Sequence, residues 1–234
     1  MTAVLAAVTV ALGAVAQLAT GFGFSVVCAP FLIAAYRAPT GVQLSLVLSV
    51  VVNLTLLARE HRAIDFRAAG LLFLPGMAAA VAVGTAVRHS DPGPLTVVAG
   101  VICLAGVVVL AGGRQFSRVS GRAGILVTGA VSGGMNAIAG VSGPPVVLFA
   151  LNAGWPPSRA RPTMQVIFLG LNVVTLAALG WPDRLPLGLI SAFAAGIVAG
   201  VLLAGRLPAA VVRPATLGLA AVGSVVAIVR GIAG

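Results

Sequence analysis

The fold of this 234-residue chain is decided by one stretch, Gly129-Ala-Val-Ser-Gly-Gly-Met-Asn-Ala-Ile-Ala-Gly-Val-Ser-Gly-Pro-Pro-Val-Val-Leu-Phe149. It is apolar enough to lie in a membrane, yet it contains five glycines, two prolines, two serines and an asparagine. Glycine is tolerated where a backbone bends or a ligand approaches it, and proline suits the first turn of a helix because it lacks an N–H group. The stretch therefore predicts a helix that ends near Gly140, a break over 141–143 and a new helix that starts at Pro144.

A second copy of this pattern lies 119 residues earlier, Gln17-Leu-Ala-Thr-Gly-Phe-Gly-Phe-Ser-Val-Val-Cys-Ala-Pro30. At this offset three pairs of positions align: Gly21 with Gly140, Gly23 with Ser142, and Gln17 with Asn136. Residues 1–36 and 123–158 are both uncharged and both 36 residues long. An unbroken helix of that length would measure about 54 Å, whereas the hydrocarbon core of a bilayer is about 30 Å thick. Each stretch must therefore break or turn at its glycines.

The composition predicts a multi-pass protein of the cell membrane. The chain is 60% hydrophobic and 8% charged, and its mean hydropathy is +1.15. A soluble domain of this size cannot bury that much apolar surface. The net charge of +10 comes from arginine alone, and the arginines are scattered through short connections. This pattern indicates positive-inside orientation and not nucleic-acid binding, so the lipid bilayer is the predicted partner.

Six further apolar segments are each about one span long: Thr40–Ala58, Phe66–Val87, Pro94–Ala111, Thr163–Gly180, Leu185–Leu207 and Val211–Ile232. With the two broken stretches they indicate an internal duplication. We expect a first repeat at 1–113, a cytoplasmic linker at 114–122 and a second repeat at 123–234. The predicted fold is an all-α polytopic membrane protein of two repeats, each a broken helical hairpin plus three transmembrane helices.

The arginines also predict how the repeats are oriented. If each broken stretch crosses the membrane once, the two sides carry eight and six arginines. If each stretch enters and returns as a hairpin, one side carries ten and the other carries only Arg37, Arg88, Arg184 and Arg230. The positive-inside rule favours the hairpin, which gives each repeat an odd number of crossings and so predicts inverted repeats. Both termini would then lie on the non-cytoplasmic face.

The chain resembles a known family. The glycine-rich stretches, one in each half and each followed by proline, are similar to those of the TauE/SafE family of sulfite and organosulfur-anion exporters. The resemblance covers the whole chain through its duplicated plan, but its specific part is confined to Gly21–Pro30 and Gly129–Pro145. The first copy reads Gly-Phe-Gly-Phe-Ser and not the family's fuller run of glycines. The resemblance implies transport of sulfite, sulfonates or related small anions.

The residues themselves point to a compatible site. Broken helices near the bilayer midplane form the binding sites of many transporters, and a half-helix N-terminus offers free N–H groups and a positive dipole end to an anion. We expect the two breaks to meet at one small-anion site, with neutral side chains as further donors. The predicted substrate-binding residues are Gln17, Gly21, Gly23, Ser25, Gln43, Asn53, Asn136, Gly140, Ser142, Gly143, Pro144, Gln165 and Asn172.

Other interpretations of these residues remain open. Glycines in membrane helices often serve close packing, and the buried amides can simply join neighbouring helices. The protein can also be a permease for another small solute, or a membrane-embedded thiol or sulfur-relay protein that uses Cys28. The sequence has no clustered metal ligands, no Gly-x-Ser-x-Gly elbow and no carboxylate deep in a span. We therefore predict no catalytic residue, no metal and no cofactor, and leave homo-oligomerisation open.

Overall fold

The computed structural model describes residues 2–112, 121–203, 206 and 208–233, and these contain ten α-helices and one short 3-10 helix, His61–Ala63. In chain order the α-helices are α1 (Thr2–Thr20), α2 (Phe24–Tyr36), α3 (Thr40–Glu60), α4 (Phe66–Val87), α5 (Pro92–Gly112), α6 (Gly121–Ala139), α7 (Gly143–Asn152), α8 (Pro157–Leu179), α9 (Leu187–Leu203) and α10 (Ala209–Ile232). Five of them, α3, α4, α5, α8 and α10, are long and apolar enough to cross a membrane. The prediction of an all-α polytopic membrane protein is confirmed.

Both predicted breaks occur where glycine and proline place them. Gly23 separates α1 from α2 with φ +118°, and Gly140 ends α6 with φ +67°. These left-handed conformations cost other residues more than glycine, so the helices stop there. The second helix begins at Gly143, one residue before the predicted Pro144, because proline occupies the positions just inside its start. Most of the predicted linker 114–122 lies outside the described residues, and its last two residues begin α6.

Helix α8 begins earlier than predicted, at Pro157 and not at Thr163. Proline at the first helical position is favourable, so the helix starts there and includes Arg159 in its first turn. The Arg159 guanidinium lies 2.6 Å from Asp65, the residue that caps α4 by accepting the Ala68 N–H at 2.8 Å. The Ala68 N–H and the Arg159 charge hold the pKa of Asp65 below its ordinary value.

Helices of the two halves pack directly against each other along glycine seams. Along α1 and α9, Gly196 faces Ala11 and Gly200 faces Val15, so these helices run parallel. A Cβ atom at Gly196 would lie 2.6 Å from the Ala11 backbone, which leaves no room for a larger residue. Such seams allow backbones to approach closely, as glycine does in membrane helices generally.

The same pairing occurs a second time between α4 and α6. Gly76 contacts Gly129 and Gly84 lies near Ala137, so these helices are also parallel. At the offset of 119 residues, α6 corresponds to α1 and α9 to α4. In the first half, α4 therefore packs against α6, which belongs to the broken hairpin of the second half. In the second half, α9 packs against α1, which belongs to the broken hairpin of the first half.

Two pairs of equivalent helices, α3 with α8 and α5 with α10, run antiparallel. In the α3–α8 pair, Gln43 contacts Leu179 at one end and Asp65 contacts Thr163 beyond the other. In the α5–α10 pair, Gly93 lies near Gly231 and Gly100 near Ile228. Antiparallel equivalents are expected of inverted repeats. The inversion relative to a membrane remains a prediction, which these directions support.

Candidate functional site

The two breaks line one small cavity in the centre of the helix bundle. Its described lining residues are Gln17, Phe22, Gly23, Ser25, Val26, Ser49, Asn53, Ser142, Gly143, Phe168 and Asn172. None of these side chains is charged. The space open to the centre of a water molecule is about 10 Å³, which accommodates about one water. The fold thus brings two segments that are distant in sequence to one enclosed polar site.

Two helix N-termini face this cavity, but they are unequal. Helix α2 begins at Phe24, and the N–H groups of its first turn, including that of Ser25, have no partner within the helix. Helix α7 begins at Gly143, but Pro144 and Pro145 follow it and carry no N–H group. Both starts bring a positive dipole end, whereas most of the free N–H donors come from α2.

A network of buried amides fixes the geometry beside the first break. The Phe24 N–H donates to Gln17 Oε1 at 2.9 Å, so the Gln17 amide nitrogen must point the other way. Gln17 Nε2 then donates to Asn53 Oδ1 at 2.8 Å and to Gln165 Oε1 at 3.0 Å. Gln165 Nε2 in turn donates to the Gly21 carbonyl at 2.6 Å. The Phe24 N–H can only donate a hydrogen bond and the Gly21 carbonyl can only accept one, so these two groups fix the orientation of every amide between them.

This orientation leaves Asn53 with its oxygen occupied and its nitrogen free. Asn53 is 1% exposed, lines the cavity, and has no hydrogen-bond partner for Nδ2. Ser49, one turn earlier on α3, is 4% exposed, and its Oγ also lacks a partner. Buried polar groups are almost always hydrogen-bonded, so two groups without a protein partner at one cavity are suited to bind a ligand or a water there. Asn53 Nδ2 can only donate, and the Ser49 hydroxyl can also donate, so the ligand must accept hydrogen bonds.

The second half repeats part of this arrangement. Asn136 Nδ2 donates to Asn172 Oδ1 at 3.2 Å, and these residues align with Gln17 and Asn53 at the offset of 119. Asn136 Nδ2 also donates to Thr175 at 2.9 Å. In both halves the helix before the break is therefore tied to the second helix after it, and the second residue of each pair lines the cavity.

The predicted site residues fall into three groups. Seven of them line the cavity: Gln17, Gly23, Ser25, Asn53, Ser142, Gly143 and Asn172. Three belong to the hydrogen-bond networks behind it: Gly21, Gln165 and Asn136. The other three are not among the lining residues: Gln43 donates to the Leu179 carbonyl, Gly140 packs near Ser45, and Pro144 packs near Gly106.

The sequence interpretation missed Ser49, Phe22, Val26 and Phe168 as lining residues. Ser49 had a detectable signal, since it lies four residues before Asn53 and so shares its face of α3. The three apolar residues had none, because phenylalanine and valine are ordinary in a membrane segment.

Two arginines lie close to the first break, although the sequence placed all arginines in connections. Arg161, in the second turn of α8, packs over Gly21 and forms an ion pair with Glu60 at 2.9 Å. Arg213, near the start of α10, donates to the Leu110 carbonyl at 2.8 Å. Both are at the end of the bundle that carries the larger share of arginine.

Cys28, the residue on which the thiol hypothesis rests, lies away from the cavity. Its side chain is 0% exposed, and its sulfur lies 3.8 Å from Ser45 Oγ. The residues described by the structure contain no group of three or more His, Cys, Asp or Glu side chains that could hold a metal ion.

The fold and the cavity define a class, a multi-pass helical membrane protein with two broken helices at a central polar site. The family model described as sulfite exporter TauE/SafE matches residues 5–229, nearly the whole chain. The chain therefore belongs to the TauE/SafE family, a family of membrane transporters, and the resemblance noted from the glycine-rich stretches is confirmed. No curated protein and no solved structure matches the chain.

Proposed function

We propose that this protein transports small anions across the cell membrane, with sulfite or an organosulfonate as the substrate, through the cavity between the two breaks. The observation that carries the proposal is the pair of unpaired polar groups, Ser49 Oγ and Asn53 Nδ2, at a cavity that two helix N-termini also face. Membership of a sulfite exporter family supports this substrate class.

The cavity offers an anion attraction without a fixed charge. Each helix N-terminus contributes about half an elementary charge, and the neutral amide and hydroxyl donate hydrogen bonds. A buried arginine in the same place would bind an anion more tightly and slow its release. An uncharged set of donors therefore suits a site through which the substrate must pass.

The size of the cavity indicates that the described conformation is closed. A space for about one water is too small for an oxyanion of sulfur with its three oxygens. Transport then requires helices around the breaks to move apart, as in other transporters that expose a central site alternately to the two sides.

Flux and binding measurements in liposomes test the substrate class. Purified protein would be reconstituted and assayed with sulfite, sulfate, thiosulfate, taurine and sulfoacetate. We expect saturable transport of at least one of these anions. Transport of a neutral or cationic solute, with no anion transported, would contradict the proposal and favour a permease of another kind.

A matched pair of substitutions on α3 tests the cavity itself. Asn53→Ala removes a buried amide that lines the cavity, whereas Gln43→Ala removes one that only bonds Leu179. A hydrogen bond to a charged group is worth about 1.5–3 kcal/mol, so we expect Asn53→Ala to weaken anion binding at least about tenfold. Gln43→Ala should lower stability and leave the dissociation constant unchanged. Equal effects of the two variants on binding would place the site elsewhere.

A further inference from the structure

A second pocket lies on the far side of the first break from the central cavity. Its described lining residues are Thr20, Phe22, Gly23, Val26, Leu110, Arg213, Thr216 and Leu217. It is therefore bounded by the α1–α2 break, the end of α5 and the beginning of α10. Unlike the central cavity, it contains a charged side chain. The space in it that is open to the centre of a water molecule is also about 10 Å³, so this pocket too must widen before it admits an oxyanion.

Arg213 brings this pocket an uncompensated positive charge. One of its five N–H donors bonds the Leu110 carbonyl at 2.8 Å, and it forms no ion pair with any carboxylate among the described residues. Arg161, on the other side of the break, is by contrast paired with Glu60 at 2.9 Å. The remaining donors of the exposed Arg213 are available to an oxyanion.

Only a thin wall separates the two spaces. Phe22, Gly23 and Val26 line both of them. Gly23 has no atom within 4 Å of the position that a Cβ would occupy, so the wall is open there. The Phe22 ring is the largest side chain shared by the two linings, and it is only half buried.

We propose that this pocket is an entry subsite, in which Arg213 receives a small oxyanion before it passes Phe22 into the central cavity. The proposal rests on the proposed transport function and adds to it a second anion position and a route. The pocket lies at the end of the bundle where arginine is concentrated, the end that positive-inside orientation predicts to be cytoplasmic.

A charge at the entrance and none at the centre suit an exporter. Positive charge near a narrow site can raise the local concentration of anions and their association rate by about 10–10³-fold, and the effect falls with ionic strength. The same charge placed centrally would retain the anion. The arrangement therefore predicts that Arg213 affects capture of the substrate and not the rate of its passage at saturation.

Kinetics in proteoliposomes test this role with sulfite as the probe. We expect Arg213→Gln to raise KM about tenfold at low salt, to leave the maximal rate unchanged, and to approach wild type at high salt. Arg213→Lys keeps the charge and should recover most of the low-salt KM. Arg206→Gln removes an exposed arginine of the preceding connection and serves as the control. A KM for Arg213→Gln equal to that of the control, or a salt-independent loss of maximal rate, would overturn the proposal.

Thiol labelling tests the subsite without relying on transport. In a Cys28→Ala, Cys103→Ala background, Thr216→Cys places one thiol in the pocket. We expect an anionic methanethiosulfonate to label it at least about tenfold faster than a cationic one, and Arg213→Gln to abolish that preference. No preference, or one that survives Arg213→Gln, would refute the subsite. Anion-selective labelling in a protein that transports none of the tested anions would contradict the transport function alone.

Discussion

Replacing Ser49 by alanine should stabilise the protein and weaken anion binding at the same time. Ser49 is 4% exposed, and its Oγ has no partner. An unsatisfied buried polar group costs about 1–3 kcal/mol, so its removal should raise the free energy of unfolding of the anion-free protein by about 1 kcal/mol or more. For a chain of this length, 1 kcal/mol corresponds to a rise in Tm of about 2–4 °C.

The cost of the substitution should appear when the anion is bound. A hydrogen bond to a charged ligand contributes about 1.5–3 kcal/mol, so the loss of this bond in Ser49→Ala should raise the Kd about 10–150-fold. The stabilisation that sulfite gives the wild-type protein in a thermal unfolding assay should therefore shrink in Ser49→Ala. Added ligand stabilises only the state that binds it, so the same titration reports both effects.

Ser45→Ala is the matched control, because Ser45 lies one turn earlier on the same helix and is also fully buried. Its hydroxyl lies near the Cys28 sulfur and not at the cavity. We expect this variant to leave the Kd unchanged and to alter Tm little. This role of Ser49 is excluded if Ser49→Ala lowers Tm in the absence of anion, or if both serine variants bind sulfite as wild type does.

Four further outcomes follow from the structure. Gly143→Ala should reduce flux with little loss of stability, because Gly143 lines the cavity and the nearest atom to an added Cβ is 4.0 Å away. Gly196→Ala should instead destabilise the protein by about 1–3 kcal/mol, because its Cβ would lie 2.6 Å from the Ala11 backbone; thermal unfolding and flux assays separate the two effects. Asp65→Ala should lower the free energy of unfolding by about 1 kcal/mol while flux persists. Because the pKa of Asp65 is lowered in the folded protein, this deficit should be complete above about pH 4 and should shrink as the pH falls further. Cys28→Ala should retain transport, and loss of flux in a folded variant would revive the thiol hypothesis. Reporter fusions should place both termini on the non-cytoplasmic face, and termini on opposite faces would exclude the hairpin.

The breaks could be predicted from the sequence because their cause is local. Glycine and proline limit what the backbone can do wherever they occur, and Gly23, Gly140 and Pro144 mark the ends of helices to within a residue. The equivalence of the buried amides was also visible in the sequence, since Gln17 and Asn53 align with Asn136 and Asn172 at the offset of 119 residues. The contact within each pair was not visible, because the alignment identifies equivalent positions and not which side chains meet.

What could not be predicted depends on how helices face each other. Gln43, Ser45, Ser49 and Asn53 are all buried on α3, but only the last two line the cavity. The spacing of these four residues in the sequence shows which of them share a face of α3, but it does not show what that face contacts. Arg213 reaches the first break only because α10 packs against α2 and α5, a contact between distant segments.

The two glycine seams determine which helices can move together. α1 is in backbone contact with α9, and α6 with α4, so a tilt of one broken hairpin must carry with it a helix from the other half of the chain. If the protein opens by rocking one rigid group of helices against another, the dividing surface therefore cannot follow the boundary between the two predicted repeats. Each moving group would contain helices from both of these repeats, and a transported anion would pass between two such mixed groups.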